Sequence, residues 1–257
     1  MAHQNRYSSP LPDPLDGLRA RRIRRALTSN APSDQAIQWN GFHLLFDEGL
    51  PTPAACHGFC PASFLARNLQ VRAGERILDL GTGPGLVALE ATRRGARVTA
   101  MDWQQEALAT LRRNALMAGM EEPELRHEDG LGRVAGERFD VVTWAAPFLR
   151  GVPRGPRERR LLRGPDPDFL ETLRGVRDLL DRGGRLLLPF PDRDDSSWLH
   201  SQLEAAEFRF RPIVLDAFPL VGKVRLYQCW APTDGATSGL VAAGEALSGT
   251  AWLLRDR

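Results

Sequence analysis

Runs of apolar residues alternate along this chain with stretches in which apolar positions recur every three or four residues, the period of a buried helix face. Residues 77–80 read as a buried strand, and Gly81, Gly83 and Gly85 then lead into an apolar helix from Leu86. A second strand is predicted over 96–103. A helix over 104–117 follows, with Ala107, Leu108, Leu111, Ala115 and Leu116 on one stripe, ended by Gly119. Residues 125–131 give a third strand and loop, and 139–144 a fourth strand. Residues 168–181 resume a helix with Phe169, Leu170, Leu173, Val176 and Leu180 buried, and Gly183-Gly184 turns into a fifth strand. A helix over 196–206 and strands over 209–216 and 223–231 close the pattern, while Pro61 opens a helix over 62–69 ahead of the first strand.

The flanks carry less periodicity. Residues 1–16 hold three prolines and read as a mobile leader; residues 18–27 place Ile23, Ala26 and Leu27 on one stripe of a basic amphipathic helix. Residues 34–50 are rich in aromatics, among them Trp39, Phe42 and Phe46, which must be covered by something. The proline-interrupted link 51–61 carries Cys56-His57 and Cys60, but without a second pair of ligands this is no zinc site. From 232 onward small residues dominate, and a weakly ordered tail is expected over 232–257, with Trp252 and its neighbours able to dock.

At 257 residues and 42% hydrophobic, the chain supports one main core. Lys and Arg number 34 against 32 Asp and Glu, so the overall charge does not announce a nucleic-acid partner. Three cysteines are too few for a disulfide framework, and no apolar run has transmembrane length; the expectation is a reduced, cytoplasmic protein with no membrane partner.

The glycine loop changes the picture most. Glycines at alternate positions let the backbone bend sharply and let a ligand approach within contact distance, and the helix that follows points its free N–H groups at the same spot. Asp79, Gly81, Thr82, Gly83 and Gly85 together read D-x-G-T-G-x-G, with the third glycine one place earlier than in dinucleotide folds. This string resembles motif I of the class I S-adenosylmethionine (SAM) dependent methyltransferases, and the likeness extends over about residues 61–231. It implies an α/β fold: a seven-stranded, mostly parallel, doubly wound sheet, its last strand antiparallel, with an N-terminal helical lid over 17–60. It also implies SAM as cofactor. Asp102, closing the second strand, would accept from the ribose hydroxyls, Trp103 would lie on the adenine, and Asp129, Gly130 and Leu131 would read its edge. Trp39, Phe42 and His43 become candidate substrate-facing residues of the lid.

At the fourth strand end the small-domain group that modifies glutamine or exocyclic base nitrogens reads Asn-Pro-Pro-Tyr, whereas this chain reads Ala145-Ala146-Pro147-Phe148. The asparagine acceptor and the tyrosine hydroxyl are missing, which speaks against amide or base methylation. What remains, Trp144, Ala145 and Phe148, is an apolar and aromatic surface suited to a sulfonium. Six arginines between 150 and 163 then form a candidate anion-binding loop. The leading expectation is in-line methyl transfer to a small-molecule or protein nucleophile. Two others stay open: closure of SAM on its own amine to azetidine-2-carboxylate with loss of methylthioadenosine, as in some natural-product pathways, and a catalytically silent module whose arginines bind RNA or a partner.

Overall fold

In the computed structural model, seven strands form one sheet. The structure describes residues 36–46, 60–148, 153, 155–160, 162, 166–192, 196–218 and 222–232. The expected leader, the basic helix over 18–27, Cys56-His57 and the tail beyond 232 lie outside the described residues. The strands are β3 (Arg76–Leu80), β4 (Arg97–Asp102), β5 (Glu124–His127), β6 (Phe139–Trp144), β7 (Leu180–Pro191), β8 (Arg209–Phe218) and β9 (Gly222–Trp230), in the order β5-β4-β3-β6-β7-β9-β8. β3 pairs in parallel with β4 and β6, β4 with β5 and β6 with β7, and β9 runs antiparallel between β7 and β8. This is the mostly parallel, seven-stranded arrangement expected.

Helices α1 (Pro61–Arg67), α2 (Leu86–Arg93), α3 (Gln105–Met117), α4 (Pro156–Arg159), α5 (Asp166–Leu179) and α6 (Ser196–Ala205) connect and cover it. β3 and β6 are neighbours whose connections leave to opposite sides of the sheet, so a crevice opens beyond their carboxyl ends, where open α/β sheets bind ligands. The interior strands are covered on both faces: Ile77, Leu78, Val141, Val142 and Leu186 to Leu188 are all buried. No helix among the described residues is long and apolar enough to cross a membrane.

Residues 36–46 depart from the helical lid. They form a hairpin of β1 (Ile37–Trp39) and β2 (Phe42–Leu44), paired antiparallel. Asn40 and Gly41 sit at φ +46° and +85°, the pair of left-handed conformations a two-residue hairpin turn needs, and Asn-Gly is the sequence that adopts them most readily. Alternation then buries Phe42 and Leu44 and exposes His43. Trp39 donates from its indole N–H to Ser63 on α1 at 2.8 Å, and Asn40 Nδ2 to Glu90 on α2 at 3.0 Å, so the hairpin is pinned to the helices beside β3.

Candidate functional site

The turn out of β3 is fixed from three sides. The N–H groups of Gly81 and Thr82 donate to the Met101 carbonyl at 2.8 and 3.0 Å, tying the loop to the end of β4. Gly83 N–H donates to Asp102 Oδ2 at 2.9 Å. Buried Asn114 on α3 donates to the Pro84 carbonyl at 2.8 Å, while its amide also bridges the backbone of Leu45 beyond the hairpin. The glycines divide the work. A Cβ on Gly81 or Gly83 would meet no described residue within 4 Å, so these two leave the backbone open to a ligand; a Cβ on Gly85 would stand 2.0 Å from Leu111 Cδ1, so Gly85 lets α2 pack on α3.

Two carboxylates sit beneath the loop. Asp79 is buried and accepts from Thr82 Oγ1 at 2.7 Å and Thr143 Oγ1 at 2.8 Å, its register partner on β6. Burial pushes its carboxyl up to about 6; the two hydroxyls oppose this, and the neighbouring charge of Asp102 adds to it. Asp102 is also buried, and burial raises its carboxyl against the backbone N–H groups of Gln104 and Gly83 and the charge of Arg160. Its Oδ1 accepts from Gln104 N–H at 2.9 Å, so each oxygen is oriented by one backbone donor and keeps capacity for another. A sugar diol is the sort of donor pair this carboxylate can take.

Beyond the tips of β3, β4, β5 and β6 lies a cavity of about 250 Å³. Of the residues expected in the site, Gly81, Asp102, Trp103, Asp129, Gly130, Leu131, Trp144 and Ala145 line it. Asp79, Thr82, Gly83 and Gly85 are not among the lining residues: Asp79 holds Thr82, Gly85 packs against Leu111, and Gly83 keeps its N–H on Asp102. Phe148 is buried in the core and is not among the lining residues; Pro147 is. The lid residues are not brought there either. Trp39 and Phe42 stack in the core, their ring centroids 6.5 Å apart, and His43 faces outward.

Trp144 packs against Phe169 of α5 at 4.9 Å, and Phe169 against Trp198 of α6 at the same distance, so an aromatic wall runs back from the β6 end of the cavity. Sequence reasoning passed over Leu80, Met101, Glu128 and Thr172, which complete the lining, and gave Arg159 and Arg160 only as members of an arginine-rich loop. Both turn inward. Arg160 donates to Gln104 Oε1, and Arg159 makes a two-pronged pair with Asp129 at 2.8 and 2.5 Å while its guanidinium carbon lies 4.7 Å above the Trp103 ring.

Comparison with known proteins bears on this arrangement. Residues 60–157 match the family model of the Methyltransferase small domain. Those residues are thus similar to a methyltransferase domain, and the sheet they belong to has the class I methyltransferase fold. The chain is 30% identical over 128 residues to a ubiquinone biosynthesis O-methyltransferase of Aeromonas salmonicida, covering 49% of this chain and 47% of that protein. It is 33% identical over 86 residues to a release factor glutamine methyltransferase of Shewanella oneidensis, covering 33% of this chain and 30% of that protein. The chain thus spans about half, or less, of the length of these relatives. Among solved structures, that of SMU.776 in complex with SAH superposes with a TM-score of 0.56 at 15% identity, covering 78% of this chain and 57% of that one, a likeness of fold. SAM is the cofactor of the domain, and the residues present fit it: two glycines open to a ligand, a carboxylate with spare acceptor capacity, and an indole beside them.

Proposed function

We propose that the protein transfers the methyl group of SAM in line to a nucleophile of a small molecule or protein. The observation that carries this reading is the division of the cavity: acceptors and an aromatic face at the β4 and β5 tips, and the apolar corner of Trp144, Ala145 and Pro147 at the β6 tip. In this reading Asp102 accepts from the ribose hydroxyls, Trp103 stacks on the adenine, Asp129 receives its exocyclic amine, and the open backbone of Gly81 and Gly83 leaves room for the remainder. When bound, SAM supplies a methyl carbon made electrophilic by the adjacent sulfonium.

Trp144 then presents its ring to the sulfonium charge, worth roughly 0.5–2 kcal/mol according to burial. The acceptor lies against Ala145 and Pro147, where the side chains offer it no hydrogen bond. Positioning therefore supplies most of the rate: a displacement of this type gains chiefly from holding nucleophile, carbon and leaving sulfur in line. Among the described residues the lining carries no histidine, and its carboxylates are held by backbone or arginine donors. An acceptor whose nucleophile is already unprotonated near neutral pH suits such a corner better than an amide nitrogen.

Mass spectrometry of the products formed from SAM, with and without a cell extract, tests the reading. A methylated product together with S-adenosylhomocysteine (SAH), appearing only with extract, is expected. Methylthioadenosine and a cyclic amino acid from SAM alone would replace methyl transfer by ring closure.

A further inference from the structure

We propose that Arg159 competes with the cofactor's base for its own pocket. This rests on the reading of Trp103 and Asp129 as the adenine end of the site. The guanidinium of Arg159 lies 4.7 Å over the Trp103 ring and spans both oxygens of Asp129. A base layer between the two planes would require roughly 7 Å, twice a van der Waals separation of about 3.5 Å. Stacked guanidinium and stacked adenine are therefore alternatives on this face of the indole. The carboxylate that would take the adenine amine is engaged by the same side chain.

The volume agrees: a cavity of about 250 Å³ falls below the roughly 300–1,000 Å³ of clefts that enclose ligands of this size. The Trp103 backbone is held where His127 Nε2 lies 3.1 Å from its carbonyl, and Arg159 reaches the ring at the end of a long, flexible stem, so the guanidinium is the group a ligand can displace. Its pair with Asp129 is half exposed on both sides, and ion pairs of that kind contribute little. Arg159 is thus a weak plug, one that a nucleoside displaces at a modest loss of affinity.

Titration calorimetry of the full chain with SAH decides the matter. Arg159→Ala is expected to bind SAH about 3- to 10-fold more tightly than the wild type. Added salt should tighten the wild type toward the variant, because screening loosens the Arg159–Asp129 pair. Arg159→Lys, which keeps the charge without the planar fork, should fall between. Unchanged or weaker SAH binding by Arg159→Ala would overturn the proposal, the weaker case assigning Arg159 to the ligand's own contacts. Asp102→Ala separates the two ideas. If it loses SAH while Arg159→Ala gains nothing, the plug alone fails; if the wild type takes up no SAH, or Asp102→Ala binds it equally well, the adenosine reading fails and the plug with it.

Discussion

The backbone N–H of Gly83 and the Oδ2 of Asp102 stand 2.9 Å apart, so the glycine loop of β3 and the carboxylate of β4 form one unit. Asp102 thereby aims the loop as well as itself. In Asp102→Asn the amide must present a donor to the Gly83 or the Gln104 N–H, and it offers fewer acceptor sites to a diol. Hydrogen bonds to a charged group contribute about 1.5–3 kcal/mol each. A loss of about ten- to a hundredfold in SAH affinity is expected by calorimetry, together with a lowered melting temperature, because one of the two backbone hydrogen bonds to residue 102 is lost in the fold.

Gly85 and Gly81 should respond to alanine in different measure. At Gly85 the new Cβ meets buried Leu111 at 2.0 Å in a backbone conformation of φ +93°, so overpacking and strain add, costing about 2–4 kcal/mol. At Gly81 the Cβ meets no described residue, and only the strain of φ +70°, about 1–2 kcal/mol, applies. Urea melts should show Gly85→Ala to be the less stable variant. Calorimetry should show Gly81→Ala to be folded but weakened toward SAH.

Asp79 predicts a pH dependence of stability. Its carboxyl is pushed up to about 6 in the fold, from 3.8 in the open chain. Between those values the folded state holds a proton that the unfolded state has released, so stability falls as pH rises from about 4 to 6 and levels off above. The whole effect is at most about 3 kcal/mol. Asp79→Asn, which can still bond both threonine hydroxyls, removes this contribution. Its stability relative to wild type should therefore rise across that window in urea melts at fixed ionic strength. A gap that stays constant with pH would contradict the raised Asp79.

Much of this site was legible because each tip residue follows a strand whose apolar run is unmistakable: Asp79, Asp102 and Trp144 each fall within the last two residues of one. The hairpin was written as plainly, in Asn40-Gly41 between Trp39 and Phe42, but the density of aromatics drew the reading toward a substrate lid. Phe148 was assigned by closeness in sequence to Trp144, yet the chain leaves the tip after Pro147 and turns the ring into the core. Arg159 and Arg160 could not be assigned from the chain at all. Their partners Asp129 and Gln104 lie 30 and 56 residues away, and composition does not distinguish an arginine facing solvent from one facing a cavity.

Trp39 and His43 lie four residues apart and should behave as strangers. Trp39→Ala deletes a buried indole and leaves the Ser63 hydroxyl without its donor, at about 3–5 kcal/mol, while His43→Ala should stay within about 0.5 kcal/mol of wild type. Thermal melts and SAH titrations of both variants check this. A loss of SAH affinity in His43→Ala would return the hairpin to the site.

Trp144 offers the sharpest test of the reacting corner. SAM and SAH differ by a methyl group and a positive charge at sulfur, and an aromatic face discriminates on charge. In Trp144→Leu the apolar contact is largely kept and the ring's attraction for a cation is lost. SAH affinity should then change little while SAM affinity falls by about 2- to 30-fold, the equivalent of roughly 0.5–2 kcal/mol. Phe169, stacked behind Trp144 at 4.9 Å, limits how far leucine can relax into the space left by the indole, so Trp144→Phe is the cleaner control and should recover part of the difference. If SAM and SAH weaken in equal proportion in Trp144→Leu, the ring acts as a wall and not as a partner of the sulfonium.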